Sequence, residues 1–340
     1  MNLSTLRTLG VALCAAALIS TPTFGAHAAP GAHVVTQTQV GRVAEIGVYS
    51  PSMDRTIALK VLRAAETGVA APTLYLLNGA GGGEDKANWP GQTDAAAFFA
   101  DKHVNVVIPM EGAFSYYTDW LAPDAKMGEN LKNNGRNMWA TFLTEELPPV
   151  IDAALGTTGV NALAGISMAG TSVLDLSIRA PHLYRSVAAY SGCAMTSDPL
   201  GKTFVSTVVG MGGGDIANMW GTDAEAWRQR DPFVQAALLP DIPMYISSGT
   251  GLPGAHDTVA NPRIQAQGTD PDAAVTSQMI VGGAIEAVTG LCTANLANRT
   301  RELGRTNITY NIRPTGTHSW GYWQDDLHDS WPMMATALGL

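Results

Sequence analysis

The sequence predicts an α/β protein, with a mostly parallel central sheet, an N-terminal antiparallel hairpin and helices on both faces. From residue 73 onward, short apolar runs suited to strands buried on both faces alternate with longer helical stretches. Ahead of them stand two alternating, β-branched runs separated by turn residues. The chain can also bury a large core. Of its 340 residues 46% are hydrophobic and 14% charged, too few charges for a disordered or coiled-coil protein.

The hairpin is read as Arg42 to Tyr49 and Arg55 to Leu62 around Pro51-Ser52-Met53-Asp54. The buried strands are Thr73 to Leu77, Val104 to Pro109, Val160 to Ala164, Ser186 to Ser191, Pro243 to Ser247 and Asn307 to Ile312. Helices are expected over Asp94 to Ala100, Arg136 to Ala153 with a break at Pro148-Pro149, Met168 to Ala180 stopped by Pro181, and Ser277 to Leu303. Strands alternating with helices imply parallel pairing. Gly210 to Gly214 and the long Gly-, Pro- and Asp-rich stretch from Gly249 to Thr276 read as loops, and a loop as long as the second tends to be functional.

The first 28 residues read as a signal peptide. Arg7 supplies a positive start, Leu9 to Ile19 is an apolar run too short to span a membrane, and Ala26-His27-Ala28 offers small residues for cleavage near Ala28-Ala29. Cys14 follows Leu13, which is too large for the site before a lipidated cysteine. Residues 29–340 are then expected to form one exported domain. Its two cysteines, Cys193 and Cys292, form an even pair in an oxidising compartment, which favours a disulfide. The carboxylates outnumber Lys and Arg by 29 to 20, which argues against a nucleic-acid partner. The seven histidines are scattered, so no metal is expected, and nothing calls for a cofactor.

The chemistry begins at Gly165-Ile166-Ser167-Met168-Ala169-Gly170. Placed between a predicted strand and a predicted helix, Gly-x-Ser-x-small is a nucleophile elbow, in which a tight turn lifts the serine hydroxyl clear of the sheet. This pattern narrows the fold class to the α/β-hydrolase fold. The plain alternative is Ser167 as an ordinary helix N-cap. A serine needs a histidine as base and a carboxylate to orient that histidine, in the chain order Ser, acid, His. His182 is too close to the elbow, His256 precedes the last strand and His328 falls in the last helix. His318, in the loop after the last strand, is the candidate base. For the acid, Asp257 is the first carboxylate after the strand ending near Ser247, with Asp270, Asp272 and Glu286 as later alternatives. The oxyanion hole needs two backbone N–H groups: Met168, after the nucleophile, and Ala80, in the glycine-rich turn after Leu76-Leu77-Asn78-Gly79.

Five blocks together resemble one family: Leu74-Tyr75-Leu76-Leu77-Asn78-Gly79, Ser115-Tyr116-Tyr117-Thr118-Asp119-Trp120, Thr141-Phe142-Leu143-Thr144-Glu145-Glu146-Leu147-Pro148, the elbow with Met168-Ala169, and His318-Ser319-Trp320-Gly321-Tyr322-Trp323. In this order, from about residue 73 to 324, they are similar to the antigen 85 mycolyltransferases of the esterase D-like α/β-hydrolase group. The resemblance implies an envelope enzyme that moves a mycoloyl group from one trehalose monomycolate to another, or to arabinogalactan. It assigns nucleophile, base and oxyanion donors to Ser167, His318, Met168 and Ala80.

The chain also departs from the family. Asn78 and Gly81 stand where the family has the aspartate and arginine that hold the sugar. The family's acid is a glutamate on a shorter loop, with Asp257 as the nearest equivalent here, and the family's cysteine pair is absent. Substrate contacts are expected from Asn78, Gly79, Trp320 and Trp323, with Trp89, Trp120 and Tyr322 as further aromatic candidates. The expected partners are trehalose mycolates or other mycoloyl esters, with polysaccharide or protein hydroxyls as possible acceptors. A competing enzyme reading is a secreted carboxylesterase, because water can also attack an acyl-enzyme. A reading of another class is an inactive hydrolase fold that binds glycolipid or serves as a surface adhesin.

Overall fold

The computed structural model describes residues 31–266 and 268–340; the expected signal peptide and its cleavage junction lie outside the described residues. Among the described residues nine strands form one sheet: β1 (His33–Val40), β2 (Val43–Ser50), β3 (Arg55–Leu62), β4 (Thr73–Leu77), β5 (Asn105–Pro109), β6 (Asn161–Ile166), β7 (Tyr184–Tyr190), β8 (Met244–Ser248) and β9 (Ile308–Ile312). Their order is β1-β2-β3-β5-β4-β6-β7-β8-β9. The first three strands are antiparallel, β3 joins β5 antiparallel, and β5 through β9 run parallel.

The α/β-hydrolase architecture predicted from sequence is the one observed, and the apolar runs explain its layers. Along β4, Tyr75 and Leu77 join the core on one face while Leu74 and Leu76 join the core on the other. In β6, Leu163 faces the first core and Ala162, Ala164 and Ile166 face the second. Because side chains alternate across a strand, a run apolar at every position is buried on both sides. The first face is covered by the helices Leu147–Leu155 and Met168–Arg179, the second by Trp89, Phe99 and the C-terminal helix Trp320–Leu338.

Three local expectations change. Strand β1 was not anticipated, because HVVTQTQV is an exposed edge strand with no buried set to reveal its period. Pro148 and Pro149 do not end the helical path: the chain passes from Trp139–Thr141 through a π turn, Phe142–Glu146, into Leu147–Leu155, and the wide turn falls directly before the two prolines that cannot donate. The stretch from Gly249 to Thr276 is not all loop, since it contains the helix Pro262–Ala266 and most of Pro271–Ser277. The latter continues through a π turn, Gln278–Gly282, into the long helix Gly283–Glu302.

The chain runs from β4 out to β5 on one side and back to β6 on the other, so the strand order reverses at β4. In parallel sheets such a reversal opens a crevice beyond the carboxyl ends of the strands. The β4–β6 register pairs Leu77 with Gly165, which brings the turn after β4 alongside the turn after β6.

Candidate active site

Ser167 follows β6 and caps the helix Met168–Arg179 at φ 54°, ψ −121°. That left-handed φ is strained for a residue with a side chain, and such strain persists only where neighbours hold it. Here the Ser167 N–H donates to Tyr190 O at 2.8 Å, and a Cβ on Gly165 would stand 2.9 Å from both Ala169 Cβ and Ala169 O. Position 165 therefore has to be glycine, whereas Ala169 fits. Within residues 161–170 only Ser167 is not buried. Its turn is the elbow, and its side chain makes no cap hydrogen bond to the helix.

His318 lies in the loop after β9. Its Nε2 is 2.7 Å from Ser167 Oγ, and its Nδ1 is 2.8 Å from Glu286 Oε2. A carboxylate can only accept, so Nδ1 carries the proton and Nε2 is left to accept from the serine hydroxyl. The imidazole packs nearly perpendicular to Trp323, at 4.9 Å between ring centroids.

Asp257 does not meet His318, and the expectation that it orients the base is corrected: that position belongs to Glu286. Asp257 accepts from Thr317 Oγ1, Tyr322 OH, Gln278 Nε2 and the Gly254 N–H, which use its oxygens in another direction. Asp270 and Asp272 sit at the start of the helix Pro271–Ser277, where the Asp270 carboxylate caps the Asp272 N–H.

Glu286 is fully buried. Its Oε1 accepts from Ser191 Oγ, Ser248 Oγ and the Gly249 N–H, and its Oε2 also faces Thr289 Oγ1 at 3.2 Å. Burial pushes the carboxyl up, but the hydrogen bond and charge of His318, with the bonds from Gly249 and Ser191, hold it below the usual glutamate value. The helix reaches this depth because two of its glycines admit backbone. A Cβ on Gly283 would come within 2.8 Å of Gly251 O, and one on Gly290 within 2.5 Å of Gly249 O. A sequence signal for this acid did exist: Glu286 is the only Asp, Glu, Lys, Arg or His between Asp272 and Arg299. A lone charge in a helix of small and apolar residues, if buried, has to be paired.

The two expected oxyanion donors belong to the elbow itself and to the turn after β4. Met168 is the first helical residue, so its N–H precedes the first intrahelical bond. Gly79 O accepts from the Gly82 N–H at 3.0 Å, and the Ala80 N–H, on the opposite side of that trans peptide, points away from the turn. A Cβ on Gly79 would lie 3.4 Å from Ser167 Cβ, so the turn after β4 packs directly on the elbow.

The expected substrate contacts divide. Asn78 is fully buried, its Oδ1 accepting from the Trp89 N–H and its Nδ2 donating to Pro109 O, so its side chain is a brace under the turn and not a substrate contact. Trp89 and Trp120 are core, and Tyr322 is committed to Asp257. Trp320 is half-buried and, with Trp323, His318, Val281 and Ile285, lines an open groove of about 310 Å³ beside the base. Trp323 also donates from Nε1 to Ser191 Oγ at 2.9 Å, one step from Glu286. Cys193, two residues beyond Ser191, is disulfide-bonded to Cys292, six residues beyond Glu286, as the sequence predicts.

Comparison with known proteins places this geometry. Residues 50–334 match the family model described as "Putative esterase". The chain is 30% identical over 299 residues to the diacylglycerol acyltransferase/mycolyltransferase Ag85A of Mycobacterium leprae, covering 86% of this chain and 82% of that protein. Over 302 residues it is 30% identical to the Ag85B counterpart of Mycolicibacterium smegmatis, at 86% and 84% coverage. Among solved structures, Mycobacterium tuberculosis MPT51 (FbpC1) matches with a TM-score of 0.69 at 26% identity, covering 88% of this chain and 100% of that one. An S-formylglutathione hydrolase from Agrobacterium tumefaciens shares the fold, with a TM-score of 0.56 at 14% identity and coverage of 90% and 100%.

Proposed function

The chain belongs to the antigen 85 mycolyltransferase family, within the wider esterase family, and from that premise we propose that it is a serine acyltransferase of the cell envelope. Ser167 Oγ attacks the ester carbonyl of a mycoloyl donor while His318 Nε2 takes its proton. Glu286 holds the imidazole in the productive tautomer and balances the imidazolium that forms. The Met168 and Ala80 N–H groups hold the developing oxyanion. The tetrahedral intermediate collapses by breaking the bond to the sugar oxygen, which takes the His318 proton and leaves as a hydroxyl, with the acyl chain on Ser167. A second hydroxyl, deprotonated by the same histidine, takes the acyl group in a ping-pong cycle.

The observation that supports this reading best is the continuous line Ser167–His318–Glu286, with its charged end buried and fully hydrogen-bonded. The desolvated carboxylate is costly to bury, and the imidazole that the serine needs is its ion-pair partner. The donor we infer is trehalose monomycolate, and the acceptor a second trehalose monomycolate or another envelope hydroxyl on polysaccharide or protein. The Cys193–Cys292 bond supports an oxidising, exported location, in line with cleavage near Ala28-Ala29. One sheet running from His33 to Ile312 supports reading residues 29–340 as one domain.

The test is incubation with trehalose monomycolate and labelled trehalose. Labelled mycolate ester is the expected product. Free mycolic acid alone would make the protein a carboxylesterase, and failure of a fluorophosphonate to label Ser167 would leave an inactive glycolipid-binding fold or adhesin.

A further inference from the structure

Asp257 has no part in the proton relay, yet it is 6% exposed and receives four hydrogen bonds. Their donors come from four segments: the Gly254 N–H (2.8 Å) from the loop after β8, Thr317 Oγ1 (2.6 Å) from the loop after β9, Gln278 Nε2 (2.5 Å) from the π turn, and Tyr322 OH (2.6 Å) from the C-terminal helix. A desolvated carboxylate is tolerated only when its lone pairs are filled. Burial pushes this one up, and the bonds from Thr317, Tyr322 and Gln278 bring it below the usual aspartate value.

The arrangement around His318 repeats at four-residue steps. Gln278 reaches Asp257, the Gly282 carbonyl accepts the His318 N–H at 3.1 Å, and Glu286 accepts from the ring. One side of a continuous helical segment thus holds the imidazole, its backbone and, through Asp257, the residue just before it. The π turn Gln278–Gly282 falls in this stretch, and such turns are frequent at functional sites. Thr317 is fully buried, and Asp257 is its strongest side-chain partner; its other side-chain contact, to Ser319 Oγ, is longer at 3.4 Å.

We propose that Asp257 is a positioning residue for the acyl-transfer step: by clamping Thr317 to Gln278 it sets where the His318 imidazole stands between Ser167 and Glu286. It touches neither substrate nor the reacting atoms. Its effect passes through the His318 backbone, where a displacement of about 1 Å costs on the order of 100-fold in rate. The inference rests on the Ser167–His318–Glu286 reading above.

The test uses the full mature chain and a soluble short-chain ester, with kcat, KM and thermal midpoint measured for Asp257→Asn, Thr317→Val and the double variant. Asparagine puts an N–H₂ where one oxygen accepted. Valine keeps the shape of threonine and removes only the link. In both single variants kcat should fall by roughly 10- to 100-fold with KM within about twofold. The double variant should be little slower than the slower single, since both cut the same connection. If Asp257→Asn does not fold, Thr317→Val decides alone. A lower thermal midpoint with kcat unchanged, or effects on kcat that multiply in the double variant, would overturn the inference. Ser167→Ala separates the two readings: turnover surviving in that variant removes the relay itself, whereas a dead Ser167→Ala beside fully active Asp257 and Thr317 variants removes only the positioning role.

Discussion

Glu286 Oε2 accepts from His318 Nδ1 at 2.8 Å, while Asp257 stands one hydrogen bond behind, on the Thr317 hydroxyl. The two carboxylates are separated by the reach of a single residue, and that separation divides their effects on the reaction.

Glu286→Gln should lower kcat by roughly 10⁴-fold, the loss seen when the acid of a serine-protease triad becomes its amide, because glutamine can donate to Nδ1 and favour the wrong tautomer. Asp257→Asn should cost far less. Steady-state kinetics of both variants on one ester decide it, and equal losses would move part of the orienting role to Asp257.

Ser167→Ala should abolish acyl-enzyme formation with the fold intact, because only the attacking oxygen is removed. His318→Ala should cost nearly as much and the double variant little more, since relay members act as a unit. Mass spectrometry after incubation with an activated ester reads the acylated serine directly.

Thiol labelling of mature protein under denaturing, non-reducing conditions should find no free cysteine. The bridge closes a sequence separation of 99 residues, and on the chain-entropy model Cys193→Ala with Cys292→Ala should destabilise by about 4–5 kcal/mol. Chemical unfolding measures it, and a change near zero would mean that the native helix holds without its tether.

The pH dependence of stability should carry a Glu286 component. Its folded-state value is held below the unfolded value of about 4.5, so the folded state binds fewer protons in that window. The stabilisation is complete above about 4.5 and is lost as pH falls through the lower folded-state value. The stability gap between wild type and Glu286→Gln should stay level at neutral pH and narrow below about 4.5, as measured by urea unfolding across the acid range. A gap that widened on acidification would reverse the assigned shift.

How far each feature is legible in the sequence follows from the range of the interaction that makes it. Thr73–Leu77 is read to the residue because every position in it is buried on one face or the other. Strand β1 is invisible because it pairs by backbone alone at an exposed edge. The elbow is legible because its requirements are local: Gly165 must clear Ala169, and Ser167 must turn between a strand and a helix. His318 is reached by elimination, as the histidine in the loop directly after the last strand.

The sequence by itself determined the α/β order and the strand-turn-helix around Ser167, which depend on periodicity and turn chemistry. Tertiary structure alone decided which carboxylate meets His318. Asp257 is the nearer in sequence to β8, but Gly283 and Gly290 let the Glu286 helix seat against the backbone of Gly249 and Gly251, and that approach delivers the longer side chain to Nδ1. It likewise decided that Asn78 braces the turn after β4, because only the packed structure brings Trp89 and Pro109 to its two ends. Such choices arise from contacts between segments distant in the chain, where many carboxylates and amides satisfy the local pattern and the packing of backbone against backbone selects one.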